Sequence, residues 1–148
     1  NVNRRYFLWM RFVDFENFDS SYKAVNIRFS KKNIKFSKSF LSRVENVIIL
    51  KLDLPYNYNK FPVEVFRFKN VKYLDLSDSH FSEVPDEIDA LKKLERVSFK
   101  SCKVKKISNK IINLKNLKFI DLRGCNLMTN EELVRLKKLL PNCEILSS

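Results

Sequence analysis

Glycine is nearly missing from this chain: Gly124 is the only one in 148 residues, where an average protein would carry about 7%. Dinucleotide fingerprints and phosphate-cradling loops need several glycines at fixed offsets, so neither can be built here. One histidine, His80, and three cysteines leave little material for a zinc site or a histidine-based catalytic pair, and no metal and no cofactor is expected. No apolar run reaches the roughly 18 residues of a membrane span. What is present is a globular composition, with 45% hydrophobic, 13% aromatic and 31% charged residues. Such a chain buries a core and is not disordered. Its length suits a single domain.

Acidic residues are outnumbered, 17 against 29 basic ones, for a formal charge of +12. That surplus permits an acidic partner, a nucleic acid or an anionic membrane surface, and its sign alone does not choose among them. Three thiols are an odd number, which argues against a disulfide framework and for reduced cysteines. Reduced cysteines favour a cytoplasmic over a secreted or periplasmic compartment. The segment from Arg4 to Phe12 has an apolar stretch too short, and interrupted by Arg11, to act as a signal peptide.

A repeat organises the rest. Val71, Leu74, Leu76, Phe81, Val84, Ile88 and Leu91 recur 23 residues later as Leu94, Val97, Phe99, Val104, Ile107, Ile111 and Leu114. The phase restarts at Leu117, Ile120, Leu122 and Leu127. Backwards it gives Val47, Leu50, Leu52, then Phe61, Val65 and Phe68 after one inserted residue, and before those Ala24, Ile27, Phe29, Ile34, Leu41 and Val44. In each x-L-x-L-x stretch, alternation buries two apolar residues and exposes their neighbours, which predicts a short strand. A lone strand cannot bury its face. Stacking the units in a parallel sheet, with the second half of each returning over the back, makes one continuous core.

Strands are expected at 26–30, 49–53, 73–77, 96–100 and 119–123. Ser37, Ser82 and Ser108 precede the return arms as cap or turn residues, and Pro85 fits a first helical turn. Thr129, Asn130, Glu131 and Glu132 read as a capping box before Leu133, Leu136, Leu139 and Leu140 at helical spacing. A helix should therefore close the stack, with Pro141 ending it and Cys143 to Leu146 adding a last strand.

The segments Val71 to Phe81 and Leu117 to Leu127 follow L-x-x-L-x-L-x-x-(N or C)-x-L, and the chain resembles the leucine-rich repeat family over residues 24 to 146. The resemblance implies an α/β fold: a right-handed solenoid, a short horseshoe or arc, with a parallel β-sheet on the concave face and short helical or irregular return arms. The expected organisation is one domain, 1–148. It has an N-terminal cap at 1–23, repeats at 24–46, 47–70, 71–93, 94–116 and 117–140, and a cap strand at 141–148. Cys102 and Cys125 fall at the ninth repeat position, where the family carries an Asn or Cys that satisfies turn backbone. Lys32, Pro55 and Ser79 depart from that pattern, so the ladder is expected to be incomplete and the first two turns irregular.

Strand positions that alternate with the buried ones form columns across the open face. One reads Asn26, Ile49, Tyr73, Arg96 and Phe119, residue types favoured at interface hot spots. Arg28, Lys51, Asp75 and Asp121 give mixed charge beside it. The partner-binding candidates are Ile49, Lys51, Asp53, Tyr73, Asp75, Arg96, Lys100, Phe119, Asp121 and Arg123, with Tyr56, Tyr58 and His80 as rim contacts. Asp75 and Asp121 are both placed on the open face with nothing to mark either as desolvated, and are not read as acid and base. The remaining basic residues, among them Lys31, Lys32, Lys35, Lys38, Lys92, Lys93, Lys103, Lys105, Lys106, Lys110, Arg135, Lys137 and Lys138, map to rims, back and terminal helix.

These features imply a monomeric, non-catalytic module that binds a protein or peptide on the concave face, with no nucleic-acid or membrane partner. The alternatives are electrostatic binding of nucleic acid or an anionic membrane through the basic rims, with Phe7 and Trp9 at the interface, or service as the targeting domain of a larger enzyme or effector.

Overall fold

The computed structural model describes residues 7–11, 20–29 and 35–147. In chain order the strands are β1 (Phe7–Arg11), β2 (Ala24–Arg28), β3 (Ile49–Asp53), β4 (Tyr73–Asp75), β5 (Glu83–Val84), β6 (Arg96–Ser98), β7 (Lys106–Ile107), β8 (Phe119–Asp121) and β9 (Glu144–Leu146). Seven of them lie side by side as β1-β2-β3-β4-β6-β8-β9, every neighbouring pair parallel, while β5 and β7 make a small second sheet in the return arms. The terminal strand expected at Cys143 to Leu146 is present as β9. The segment 1–23 does more than cap, because β1 pairs with β2 in the same parallel manner.

The core follows the repeat. Leu50, Leu74, Val97 and Ile120 are stacked in register, and Leu52, Leu76, Phe99 and Leu122 behind them are equally buried. Val65, Ile88 and Ile111 fill the space from the return arms. Burying each such side chain stabilises by about 1.5–3 kcal/mol, which a single strand could not obtain alone.

Register corrects the first repeat. Val25 and Ile27 stand opposite Leu50 and Leu52, so the strand lies at Ala24–Arg28, two residues earlier than the phase taken from Ala24, Ile27 and Phe29. Ala24, Val25, Asn26 and Ile27 are all buried. With both faces covered, the alternation that sets phase is lost. Ser30, Lys31, Lys32 and Ile34 lie outside the described residues, as do the side chains of Phe7 and Trp9.

The later strands are cut short by a turn. Asp78 (φ 62°), Ser101 (φ 58°) and Gly124 (φ 74°) each take the left-handed conformation at the eighth repeat position. Gly124 is where glycine helps most, since a Cβ there would come 3.1 Å from Ser101 Oγ and 3.3 Å from Ser101 Cα. One place later, the Cys102 thiol donates to Leu76 O at 3.1 Å and the Cys125 thiol to Phe99 O at 2.9 Å. Ser79 turns its hydroxyl inward instead, donating to Leu76 O of its own repeat at 2.6 Å. The thiol ladder between repeats therefore runs through Cys102 and Cys125 and stops short of Ser79 and Pro55. A second ladder went unread: Asn46, Asn70 and Asn116 each donate an amide to the preceding repeat, at Ser20 O, Glu45 O and Lys92 O.

The return arms carry α1 (Lys38–Leu41) and one-turn 3-10 helices at Val63–Arg67, Asp86–Ala90 and Asn109–Asn113. Ser37 and Ser108 cap as expected, accepting from Phe40 N and Lys110 N. Ser82 instead offers its carbonyl to Lys105 N at 2.8 Å, and Pro85 sits at the cap rather than in the first turn. Helix α2 (Asn130–Leu139) closes the stack, Thr129 accepting from Glu132 N at 3.2 Å. The other half of the expected capping box is spent elsewhere. Glu132 accepts from Ile107 N at 3.1 Å, and Arg135 donates to Ile107 O at 2.6 Å, to Glu132 and to Asn109. The two side chains thus occupy the β7 edge as a further strand would.

Candidate open-face site

Strand register places the candidates. Ala24, Ile49, Tyr73, Arg96, Phe119 and Glu144 form the first column. Asn26, assigned to that column from the sequence, belongs instead to the second, with Lys51, Asp75, Ser98, Asp121 and Leu146. It is 1% exposed, and neither side-chain amide atom has a hydrogen-bond partner. Such an orphan costs about 1–3 kcal/mol. Beyond the strand ends, Ser77, Lys100 and Arg123 extend the face towards the turn.

Tyr73 and Arg96 are exposed, and Ile49 and Phe119 half-buried. They line an open depression of about 210 Å³ whose far side is Asp75, Ser98 and Asp121. The Arg96 guanidinium lies 5.1 Å from the centroid of the Phe119 ring, a contact that fixes the side chain while leaving its edge free to donate.

The carboxylates are differently placed from the expectation of an open, unmarked pair. Asp121 is buried, 6% exposed, and takes Arg123 Nε at 3.0 Å, Nη2 at 2.6 Å and the Arg123 amide at 3.0 Å. Those side-chain hydrogen bonds from Arg123 hold its carboxyl below the ordinary range against the opposing pull of burial. Asp75 is half-buried, accepting from Ser77 N at 2.9 Å and Ser77 Oγ at 2.5 Å, and Ser77 Oγ lies 2.8 Å from Ser98 Oγ. Asp53 is shared by Arg28 at 3.2 Å and Lys51 at 3.8 Å.

At the rim, Tyr56 is 83% exposed and meets His80 edge-on, 4.3 Å between ring centroids. Tyr58 is half-buried against the core, and burial, then the charge of Glu64, raises its phenol. The thiols stand apart from this face. Cys102 is pushed up to about 12 and Cys143 to about 11 by burial, and Cys125 is raised for the same reason. Neutral thiols are poor nucleophiles. Among the described residues no group of three or more His, Cys, Asp or Glu could hold a metal ion, and no helix is long and apolar enough to cross a membrane.

The Leucine Rich Repeat family model matches residues 70–91. Among solved structures, an LRR protein of Leptospira interrogans is similar with a TM-score of 0.60 and 28% identity, over 83% of this chain and 29% of its own length. The chain thus spans under a third of that protein. No curated protein matches it.

Proposed function

The chain is a leucine-rich-repeat protein, a family of interaction modules in general, and we propose that it binds a protein or peptide on the open face of its sheet without catalysing a reaction. The observation that carries this reading is the first column, where Ile49, Tyr73, Arg96 and Phe119 surround a depression on a rigid sheet. Side chains held on hydrogen-bonded strands lose little freedom on binding, which keeps the entropic cost low. From β3 to β9, beyond the covered β2, the open sheet is about 19 Å wide at about 4.8 Å per strand, so a standard interface of about 800 Å² per partner would engage all of it.

The back supports a polyanion less well. Lys105, Lys106 and Lys110 are exposed, but Lys106 stands in register opposite Glu83, with Asp86 and Glu87 also exposed on that rung. Alternating charge of this kind breaks a phosphate-binding stripe. Catalysis is disfavoured by the same placements: His80 is engaged with Tyr56, and the thiols are raised.

The test is calorimetric titration of a purified partner against Tyr73→Ala, Arg96→Ala and Phe119→Ala. Each is expected to cost about 1–3 kcal/mol of affinity, with a Lys105→Glu, Lys106→Glu double variant unchanged. Loss confined to the double variant would move the site to the basic back.

A further inference from the structure

Most carboxylates of the open face are held by a neighbouring donor, while Arg96 and Lys100 make no ion pair with the described residues, although the charge of Lys100 still reaches Asp121. Asp53 is held by Arg28 and Lys51, Asp121 by Arg123, and Asp75 turns one oxygen to Ser77. Among the described residues no carboxylate lies within ion-pair distance of Arg96 or Lys100, and both are exposed. Both lie on or just beyond β6, four residues apart and on the same side of the chain, so about 13 Å separates their Cα atoms at about 3.3 Å per residue. Beside Arg96 lies the apolar depression between Tyr73 and Phe119. Past Phe119 the column ends in the exposed acid Glu144, which repels negative charge from the sheet edge and directs it towards β6.

We infer that the occupant of this face is an extended acidic segment of a protein, with carboxylates at Arg96 and Lys100 and an apolar side chain in the depression between Tyr73 and Phe119. The inference rests on the open face being the binding face, as proposed above, and adds the chemistry of the partner. Arg96, pinned over Phe119, presents a planar fork suited to a carboxylate. A nucleic acid fits less well, because Asp75 and Asp121 stand in the middle column and a polyanion has only charged backbone to set against them. A peptide can place its own neutral or apolar residues there.

The experiment pans the immobilised full chain against an unbiased library of displayed dodecapeptides. Synthetic copies of the enriched sequences are then measured by fluorescence anisotropy against the wild type and folded variants, checked by thermal melting. Enriched sequences should carry Asp or Glu close to an apolar residue. Their affinity should fall about ten-fold in Arg96→Glu and in Lys100→Glu, and weaken with added salt. Replacing the peptide's acids by lysine should restore binding to Arg96→Glu while abolishing it to wild type. Enriched peptides that are basic or uncharged yet lose affinity on Tyr73→Ala would leave the face as the site and overturn the acidic partner. Peptides indifferent to Tyr73→Ala, Arg96→Glu and Lys100→Glu, or no enrichment at all, would overturn both readings.

Discussion

The second and fourth repeats carry strands of the same kind and leave them in different ways. After β6 the chain turns through Ser101 at φ 58° and is held by the buried Cys102 thiol on Leu76 O. After β3 the ninth position is Pro55, which has no side-chain donor; the turn closes through Tyr58 N on Pro55 O at 2.9 Å, and the inserted residue is absorbed among Tyr56, Asn57, Tyr58 and Asn59. Behind the first two rungs, Phe36 meets Phe29, Phe40 and Phe68 at ring-centroid distances of 5.6, 5.1 and 5.8 Å. A chain of rings, Phe61 to Phe81 at 4.9 Å and Phe81 to Phe99 at 6.0 Å, then bridges into the regular rungs. One sheet is therefore backed by clustered rings at one end and by thiol-held turns at the other. The sheet tolerates either support provided that the two inward strand positions stay apolar.

The largest effect should come from the aromatic end. Phe68 is fully buried beneath Phe36 and Phe40, and Phe68→Ala should cost about 3–5 kcal/mol, read as a shift in the urea midpoint. A cost below about 1 kcal/mol would show that the cluster does not support the first rungs as argued here. At the other end, Arg135→Ala should cost about 1–3 kcal/mol by leaving Ile107 O and Glu132 without their donor, with faster amide exchange in β7. Gly124→Ala should cost about 1–2 kcal/mol, because alanine is strained at φ 74° and its Cβ would press on Ser101. Thermal melts of this variant beside Ser101→Gly would test whether the turns stack as described.

The smallest and most specific effect is in pH. Asp121 has its folded pKa lowered by Arg123, so its unfolded form binds a proton first as pH falls. Its stabilising contribution is complete above the ordinary carboxylate range and is lost as pH drops through the lowered folded value. Asp121→Asn should flatten the acid limb of stability against pH. An unchanged limb would mean that the Arg123 pair contributes nothing.

From Val47 onward the strands were legible because each rung repeats two inward apolar residues at constant spacing, and α2 was legible from Thr129 and its leucines. The first strand's phase was not, because four consecutive residues from Ala24 are buried and alternation carries no phase when both faces are covered. Ser79 keeps a buried donor at the motif position but spends it on Leu76 O of its own repeat, a choice of partner that the letter pattern does not encode. Glu132 and Arg135 were hidden for another reason: their partner, the β7 edge, exists only once the rungs are stacked. The open-face residues from Ile49 onward followed from alternation, whereas the ion pairing that neutralises Asp53 and Asp121 depends on side-chain reach that alternation does not encode.

The most direct test of open-face binding is a map of backbone amide shifts in the isotope-labelled full chain, titrated with a bound peptide or protein partner. Shifts concentrated at Ile49, Tyr73, Arg96 and Phe119, with Lys105, Lys106 and Lys110 unmoved, are the predicted result. Shifts concentrated at those three lysines while the first column stays still would contradict it.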